Sequence, residues 1–382
     1  MAKKIRIMLV DDSAVIRRLL TDILTSDPQL DVAGSAQNGQ VALEKLPILN
    51  PDLIVLDVEM PVMDGLETLT EIRKRQPRLP IIMFSSITER GAVVTLEALA
   101  RGANDYITKP ANTGNMGKSL QRVRDELIPR IKAFCQHLLS PPVPAFPASR
   151  PLATQSPVSP ETVAPLPAPP PPPINPPPLR RPAAGLHPHP RVDVVAIGVS
   201  TGGPNALAAL LSRLPAPFPA PIVIVQHMPP IFTRLLAERL ATQTALPIAE
   251  GAAGEILQAG QIRLAPGGSH MVLERQGSRV YLQLNQDEPE NSCRPAVDVL
   301  FRSVAAVYRS NTLAVVLTGM GQDGLRGCEV IRNAGGQILV QDEASSVVWG
   351  MPGFVAKAGL ADGQIALPQM AREILSRVRI NR

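Results

Sequence analysis

The stretch VVAIGVSTGGPN, residues 194–205, places a serine on a sharp turn of the chain. Its first residues are apolar and β-branched, which is typical of a buried strand, and the alanine- and leucine-rich run Asn205–Leu214 has helical spacing. Glycines at positions 198 and 202 flank Ser200 and let the backbone bend without side-chain clashes, in the spacing of a nucleophile elbow. We therefore predict that Ser200 stands between a strand and a helix whose first N–H groups could stabilise an oxyanion.

The same turn has two other interpretations. Ser200 or Thr201 could cap the helix by accepting a hydrogen bond from its first turn. A phosphate-binding loop is the second alternative, but the lysine of a P-loop is missing and the glycine spacing of a dinucleotide-binding loop is not met. The turn alone does not decide between catalysis and capping, so the rest of the chain must.

Length and composition predict a cytoplasmic protein without membrane insertion. The chain has 382 residues, enough for two domains and a connection. No apolar run reaches membrane-spanning length, and the N-terminus MAKKIRIMLVDD leads into a strand without a cleavage-site pattern. The three cysteines, Cys135, Cys293 and Cys328, lack metal-binding spacing, which suits a reducing compartment.

The basic excess of the chain falls mostly in one segment. Counting Lys and Arg against Asp and Glu gives 18 − 17 = +1 for residues 1–138, 4 − 1 = +3 for 139–191 and 16 − 15 = +1 for 192–382. Neither outer segment carries the charge of a polyanion-binding domain, so we expect no nucleic-acid partner.

Residues 139–191 are rich in proline and separate two domains, 1–138 and 192–382. The densest part, PLPAPPPPPINPPPLRRP at residues 165–182, cannot form a packed core. We expect an extended, partly polyproline-II linker. Recognition of this segment by a proline-binding module is an alternative.

The first domain alternates short apolar strands with amphipathic helices five times. The predicted strands are Ile5–Val10, Asp31–Ser35, Leu53–Asp57, Ile81–Phe84 and Asp105–Ile107. Such βα repeats predict a parallel sheet whose functional site lies at the carboxyl ends of the strands.

Polar side chains follow four of these strands. They are Asp11 and Asp12, Asp57, Ser85 with Ser86, and Lys109. Three carboxylates at one sheet edge repel one another unless a hard cation joins them, and Mg²⁺ prefers oxygen ligands. Lys109 and Ser85 could then hold a phosphoryl group placed on Asp57. Each residue alone could be a cap or a surface charge, but the set predicts a phosphorylation site.

The motifs LVDDS, VLDVEMPVMDG, IIMFSS and DYITKP resemble those of the receiver domains of bacterial response regulators over residues 4–125. The resemblance implies that a histidine kinase phosphorylates Asp57, with Asp11, Asp12 and Mg²⁺ assisting.

The same resemblance implies a switch beside the phosphorylated residue. Ser85 would be the switch hydroxyl, Lys109 would contact the phosphoryl group, and Tyr106 would be the aromatic side chain that moves. An alanine more often follows the switch hydroxyl in this family, whereas Ser86 follows Ser85 here.

The second domain alternates strands and helices in the same way. After the Ser200 turn, the predicted strands are Ala220–Gln226, Leu313–Leu317 and Gln337–Val340. Glycine-rich segments at 260–270 and 278–284 predict a small antiparallel insertion. We predict a second α/β sheet with its site at the strand ends.

His227 follows one of these strands and is the favoured general base. The other histidines are His137, His187, His189 and His270, of which the last follows a Pro-Gly-Gly loop and is expected at the surface. An imidazole titrates near neutral pH and can take the proton of Ser200.

Asp323 or Asp342 could orient the ring, and the glycines of TGMGQDG favour Asp323. Although each residue could instead be a cap or a core residue, together they predict a triad in the order Ser, His, Asp, unlike that of α/β-hydrolases.

The motifs AIGVSTGGP, VIVQHMPP, RPAVDVLF, LTGMGQDG and ASSVVWGMP are similar to those of the chemotaxis protein-glutamate methylesterase family, CheB, over nearly all of residues 192–380. The resemblance implies a Ser200–His227–Asp323 triad on a doubly wound parallel sheet. It implies hydrolysis of glutamate methyl esters on chemoreceptors and deamidation of receptor glutamines, which are both acyl transfers through an oxyanion. It implies no cofactor in this domain.

Further parts of the site follow from the same resemblance. Backbone N–H groups near Thr201 and Met320 are the candidates for the oxyanion hole, and the loop of Arg294 would line the cleft. The unphosphorylated receiver would pack over Ser200 and block it. Because the linker is much longer than the hinge usual in this family, we expect looser regulation.

Two other classes of function make different demands on the sequence. A DNA-binding output domain needs a helix-turn-helix and a basic face, and neither occurs after residue 192. An inactive scaffold needs a broken triad, whereas Ser200, His227 and Asp323 are all present.

Overall fold

The computed structural model describes residues 4–110, 116–139 and 191–379. The linker predicted for 139–191 lies outside the described residues except for Leu139 and Arg191. Among the helices of the described residues, none is both long and apolar enough to cross a membrane.

The first domain is a five-stranded sheet with helices on both faces. Its elements are β1 (Ile5–Val10), α1 (Ala14–Thr25), β2 (Leu30–Ala36), α2 (Gly39–Leu49), β3 (Leu53–Asp57), α3 (Gly65–Arg75), β4 (Ile81–Ser85), α4 (Glu89–Ala100), β5 (Asp105–Thr108), α5 (Met116–Phe134) and α6 (Gln136–Leu139). The strand order is β2-β1-β3-β4-β5, and every neighbouring pair is parallel. The predicted parallel α/β fold is confirmed.

The second domain is built on a seven-stranded sheet. Its elements are β6 (Val194–Val199), α7 (Gly203–Leu211), β7 (Ile222–Gln226), α8 (Pro230–Ala241), β8 (Ile248–Glu250), β9 (Ile262–Leu264), β10 (His270–Gln276), β11 (Arg279–Asn285), α9 (Val297–Tyr308), β12 (Thr312–Val316), α10 (Leu325–Asn333), β13 (Gln337–Gln341), α11 (Met351–Lys357), β14 (Gly363–Ile365) and α12 (Leu367–Arg379). The order is β14-β13-β12-β6-β7-β9-β8, with all pairs parallel.

The small antiparallel insertion is present, but its first half was placed wrongly from the sequence. β10 pairs with β11 in a two-stranded antiparallel sheet, so the hairpin begins at His270 rather than near residue 260. Residues 262–264 instead form β9 of the main sheet, parallel to β7. Ile262 and Leu264 are fully buried there, and this burial outweighs the turn signal of the glycines around them.

Alternating side chains of the central strands pack into two separate layers, which makes the second domain doubly wound. One layer joins Val195, Ile197, Ile222 and Ile224 to apolar residues of α7, α8 and α12. The other layer joins Val194, Ala196, Val223 and Val225 to apolar residues of α9. Because both faces of the sheet are covered, its carboxyl edge is where functional side chains can reach solvent.

The turn after β6 positions Ser200 at this edge. Gly202 has φ +78°, a left-handed conformation that glycine adopts without strain, and it caps the start of α7. Pro204 occupies the first turn of α7, which begins two residues before the predicted Asn205. A Cβ on Gly202 would lie 2.6 Å from Val347 Cγ2, so position 202 has neither the conformation nor the space for a side chain.

We expect Gly202→Ala to destabilise the full-length protein more than Gly254→Ala. Gly254 also has φ +78°, but a Cβ at that position would have nothing within 4 Å, so it controls for the backbone effect alone. The backbone term should cost about 1–2 kcal/mol at either position, and the contact with Val347 should add roughly 1–3 kcal/mol at 202. Urea unfolding of both variants measures the difference, and equal losses would contradict the steric argument.

Candidate active site

Ser200 lies between the ends of β7 and β12. Its backbone N–H donates a hydrogen bond of 3.0 Å to the carbonyl of Thr318, which follows β12. The side chain of Gln226, the last residue of β7, donates a hydrogen bond of 3.0 Å to the carbonyl of Ser200. A Cβ on Gly319 would lie 2.9 Å from Ser200 Cβ, so the loop after β12 passes directly against the serine. The turn is therefore held on both sides.

His227 and Asp323 form a buried pair beside this turn. His227 follows β7 directly, and its backbone N–H donates to the carbonyl of Val199 at 3.3 Å. Its Nε2 lies 2.7 Å from Asp323 Oδ2, and the Asp323 side chain is only 3% exposed. Because a carboxylate only accepts hydrogen bonds, Nε2 carries the proton and Nδ1 is the other ring nitrogen.

The second aspartate that the sequence allowed, Asp342, has a different role. Its Oδ1 accepts a hydrogen bond of 3.1 Å from the backbone N–H of Ser345 and another from the Ser345 hydroxyl. Asp342 therefore closes its own loop after β13, while Asp323 is the acid that contacts His227.

The carboxylate of Asp323 is surrounded by hydrogen-bond donors. Its Oδ2 accepts from the Val297 backbone N–H at 2.7 Å, and its Oδ1 accepts from the Asp298 and Gly324 backbone N–H groups at 3.0 Å each. The Asn291 side chain donates to Oδ1 at 2.9 Å. Burial raises the pKa of Asp323, but His227 and these N–H groups outweigh it and hold that pKa below its usual value.

The environment of His227 favours its charged form. Burial lowers the pKa of the imidazole, whereas the neighbouring Cys293 and the Asp323 carboxylate raise it. The outcome is a pKa of His227 well above its usual value. The imidazole is thus a stronger proton acceptor than a histidine in water.

The remaining predicted residues lie around this pair without a direct hydrogen bond to it. Within the described residues, Ser200 Oγ makes no hydrogen bond to His227, and the backbone N–H groups of Thr201 and Met320 have no protein acceptor. The Arg294 guanidinium donates to the carbonyls of Gln286 and Asp287 at 3.0 Å each, so it closes its own loop.

The expectation that His270 lies at the surface is wrong. The residue is fully buried, its Nδ1 accepts a hydrogen bond of 3.2 Å from the Ala296 backbone N–H, and its Nε2 lies 3.2 Å from the Glu288 carbonyl. The Pro-Gly-Gly loop before it is covered by the segment 288–296, which comes later in the chain. His270 thereby fixes both ends of that segment.

In the first domain, the three predicted carboxylates meet at one edge of the sheet. Oxygen atoms of Asp11, Asp12 and Asp57 lie within 4.8 Å of one another. Lys109 Nζ lies 2.9 Å from Asp11 Oδ2 and 2.7 Å from Asp57 Oδ2. Burial raises the pKa of Asp57 to about 6, with Lys109 acting in the opposite direction and Asp11 adding to the rise. The negative charge exceeds what Lys109 neutralises, and this all-oxygen set suits a hard divalent cation.

The two serines after β4 differ in their surroundings. Ser85 is fully buried, donates a hydrogen bond of 3.2 Å to the Gly91 carbonyl and accepts one of 2.7 Å from the Thr95 hydroxyl. Ser86 contacts Thr88 in an exposed hydrogen bond of 3.1 Å. The Ser85 hydroxyl is therefore held against α4.

The two domains belong to one compact unit and share a buried interface. The ring of Tyr106 stacks on that of Phe232 in α8, with 4.6 Å between centroids and 10° between planes. Burial raises the pKa of the Tyr106 phenol. The Asn205 side chain donates a hydrogen bond of 2.7 Å to the Leu99 carbonyl. The face made by α4 and β5 thus covers the start of α7 and α8.

One interdomain hydrogen bond reaches the residue next to Ser200. Asp105, at the start of β5, accepts it from the Thr201 hydroxyl at 3.1 Å. The Asp105 carboxylate also lies 3.4 Å from Arg130 Nε. Burial raises the pKa of Asp105, and Arg130 and Thr201 act in the opposite direction. The first domain thereby contacts the turn that carries Ser200.

Sequence reasoning missed the residues that complete these contacts. Phe232 lies in an amphipathic helix whose apolar residues predict only core packing. Asp105 lies where the sequence predicts only the start of a strand. Asn291 and Asp298 fall in or beside a segment whose polar residues suggest a loop. The motif RPAVDVLF contained Asp298 and was the one available signal.

Comparison with known proteins matches both domains. Residues 195–374 match the family described as CheB methylesterase, and residues 7–121 match the response regulator receiver domain. The protein-glutamate methylesterase/protein-glutamine glutaminase of Trichodesmium erythraeum is 50% identical over 382 residues, covering 98% of this chain and 99% of the relative. A relative of the same name from a Nocardioides species is 46% identical, covering 98% of this chain and 95% of that one.

A solved structure matches the second domain. The crystal structure of the Thermotoga maritima CheB methylesterase catalytic domain is 40% identical, has a TM-score of 0.48, and covers 48% of this chain and 98% of that chain. The two family matches together, a response regulator receiver domain followed by a methylesterase domain, define the class of response-regulator enzymes. The chain belongs to the protein-glutamate methylesterase/protein-glutamine glutaminase family of CheB.

We expect the pKa of His227 to fall when Asp323 is replaced by Asn. The substitution removes the carboxylate that stabilises the imidazolium, and burial, which lowers the pKa, remains. Asp342→Asn is the matched control, because Asp342 bonds to Ser345 and should leave the His227 titration unchanged. Imidazole ¹⁵N chemical shifts followed against pH in the full-length protein measure both. An equal fall in the two variants would contradict the pairing.

Proposed function

We propose that this chain hydrolyses glutamate methyl esters on chemoreceptors, and deamidates receptor glutamines, through a Ser200–His227–Asp323 triad under control of the receiver domain. It would act in the cytoplasm on the receptors of a chemotaxis system. The observation that carries the proposal is the buried His227–Asp323 pair, 2.7 Å apart, at the strand ends that flank Ser200. Membership of the CheB family supports the substrate.

Each side chain has a defined task in the proposed ester hydrolysis. Ser200 Oγ attacks the ester carbonyl carbon while His227 Nδ1 takes its proton, because Nε2–H is engaged by Asp323. The tetrahedral intermediate collapses, the bond from the carbonyl carbon to the methoxy oxygen breaks, and the imidazolium gives its proton to the leaving methanol. A water molecule then attacks the acyl-enzyme in the same way and releases glutamate and Ser200.

The transition state needs donors for the negative oxygen. The backbone N–H groups of Thr201 and Met320 have no acceptor within the described part of the chain, which makes them available for that oxygen. A glutamine side chain forms the corresponding tetrahedral intermediate, its amino group takes a proton from the His227 imidazolium and leaves as ammonia, and the same acyl-enzyme results. The absence of a Ser200–His227 hydrogen bond is compatible with this role, because such bonds often tighten only when substrate binds.

The receiver domain would carry the phosphoryl group on Asp57, supplied by a histidine kinase. Asp11, Asp12 and Asp57 would hold Mg²⁺, which when bound supplies positive charge against the carboxylates and the incoming phosphoryl oxygens. Lys109, whose Nζ lies 2.7 Å from Asp57 Oδ2, would contact the phosphoryl group. The Ser85 hydroxyl would leave Gly91 and Thr95 to bond a phosphoryl oxygen, and Tyr106 would move with it.

The docked receiver supports inhibition in the resting state. Asp105 occupies the hydroxyl of Thr201, and Tyr106 packs on Phe232, so a receptor helix cannot approach Ser200 from this side. Displacement of Tyr106 and α4 by phosphorylation would weaken both contacts. Regulation would then consist of uncovering a site whose His227–Asp323 pair is already formed.

We expect Ser200→Ala to lower esterase activity by roughly 10³-fold or more while leaving the fold intact, because the nucleophile is lost and a small side chain is removed. Release of methanol from methylated receptor by the beryllofluoride-activated full-length protein measures the loss. Asp323→Asn should retain more activity than Ser200→Ala, since it disturbs only the tautomer and the charge. Full activity in Ser200→Ala would disprove the triad.

We expect beryllofluoride, a phosphoryl mimic, to raise methanol release from the wild type only with Mg²⁺ present, and not from Asp57→Ala. Phe232→Ala should raise the resting rate without beryllofluoride, because it removes the ring on which Tyr106 stacks. Phe354→Ala is its control, since Phe354 is 46% exposed in α11. Equal stimulation of wild type and Asp57→Ala, or equal resting rates in the two phenylalanine variants, would contradict receiver control.

A further inference from the structure

We infer that Asn291 is a positioning residue that fixes the orientation of Asp323 by dividing its side-chain amide between Asp323 and Asp298. This inference rests on the proposed triad and adds a residue to it. Asn291 Nδ2 donates to Asp323 Oδ1 at 2.9 Å and to Asp298 Oδ2 at 3.0 Å. Both acceptors are carboxylates, so the amide must present its NH₂ group, which has two protons for two acceptors.

The turn that carries Asn291 is built to hold this side chain. Glu290 and Cys293 exchange two backbone hydrogen bonds of 3.1 and 2.9 Å, which close the turn. Asn291 has φ 52° and Ser292 has φ 61°, so both residues adopt a left-handed conformation. Asparagine tolerates this conformation better than most side chains. The Glu290 side chain is anchored by Arg302 at 2.8 Å, outside the turn.

Buried His270 extends this anchoring to the whole segment. It contacts the Glu288 carbonyl before the turn and the Ala296 N–H after it. The turn is therefore tied to the hairpin on one side and to the start of α9 on the other. Asn291 is an exposed residue, so removal of its side chain leaves no cavity in the core.

The Asn291 amide is needed between Asp298 and Asp323 because both of these carboxylates are buried and lie close to it. Asp298 is 1% exposed and Asp323 is 2% exposed. Asp298 Oδ1 accepts from the Gly327 backbone N–H at 2.7 Å, while its Oδ2 is bonded to Asn291. Burial raises the pKa of Asp298, and the Asp323 charge adds to the rise. Without the amide, repulsion between the Asp298 and Asp323 carboxylates would change the orientation of Asp323, whose Oδ2 contacts the His227 ring.

The titratable groups around Asp323 determine the effect of a new carboxyl at position 291. They are His227, Asp298, Glu290 and Arg302, and Cys293 lies beside His227. His227 is the group among them whose ionisation the reaction uses. A carboxyl introduced at 291 would lie between the carboxylates of Asp298 and Asp323, and it would replace a donor with two protons by a group with at most one.

Three variants of the beryllofluoride-activated full-length protein test the inference. Asn291→Gly removes the amide and eases the left-handed backbone, and Ser292→Gly makes the same backbone change one residue away. Asn291→Asp keeps the size of the side chain but replaces the donor by a carboxyl. For each variant, kcat and KM for methylated receptor are measured against pH by methanol release.

We expect Asn291→Gly to lower kcat about tenfold with KM unchanged, as for the loss of a hydrogen bond to a charged group. Ser292→Gly should stay within about twofold of the wild type, the scale of a surface substitution. In Asn291→Asp kcat should fall as it does in Asn291→Gly, because a carboxyl has at most one proton for two carboxylate acceptors.

Three outcomes would overturn the inference. They are a wild-type kcat in Asn291→Gly, a loss in Ser292→Gly equal to that in Asn291→Gly, and a wild-type kcat in Asn291→Asp. Ser200→Ala, assayed alongside, separates these outcomes from failure of the triad. If Ser200→Ala is inactive and Asn291→Gly is normal, only the role of Asn291 is wrong, whereas an active Ser200→Ala removes the basis of both.

Discussion

The hydrogen bond between His227 and Asp323 is the interaction on which the second domain is organised. A buried carboxylate is costly unless donors surround it, and here the first N–H groups of α9, the N–H of Gly324 and the Asn291 amide supply them. α9 in turn covers one face of the sheet through Val297 and its apolar neighbours. The position of Asp323 therefore depends on the packing of α9, and the same packing fixes the His227 ring that Asp323 contacts.

The same edge of the sheet also meets the receiver. Thr201 is adjacent to Ser200 in the chain and donates a hydrogen bond to Asp105 in the other domain. The proposed nucleophile and the proposed regulatory contact are therefore neighbouring residues. The docked face uses an aromatic stack, a buried acid near Arg130 and hydrogen bonds to backbone carbonyls. In the proposed mechanism, phosphorylation changes the side of this interface that carries Tyr106 and leaves the His227–Asp323 pair untouched.

The sequence was informative wherever a strand end fixed the position of a side chain. Ser200, His227 and Asp323 follow β6, β7 and β12, and parallel strands necessarily bring such residues to one edge. It was uninformative where packing partners come from distant segments. His270 was misplaced because its covering segment begins 18 residues later, and β9 was misread because its three residues are too few for a periodic signal. Phe232 meets Tyr106 and Asp105 meets Thr201 across the domains, and no local pattern encodes those two contacts.

The stacking of Tyr106 on Phe232 has a thermodynamic consequence for the receiver itself. A contact that holds one state of a two-state system must be counted in every equilibrium linked to that state. If phosphorylation weakens the docked arrangement, docking must weaken the affinity of Asp57 for its phosphoryl group by the same factor. A receptor that occupies the cleft and displaces the receiver would then favour acceptance of the phosphoryl group, so the substrate of one domain would act as an effector of the other.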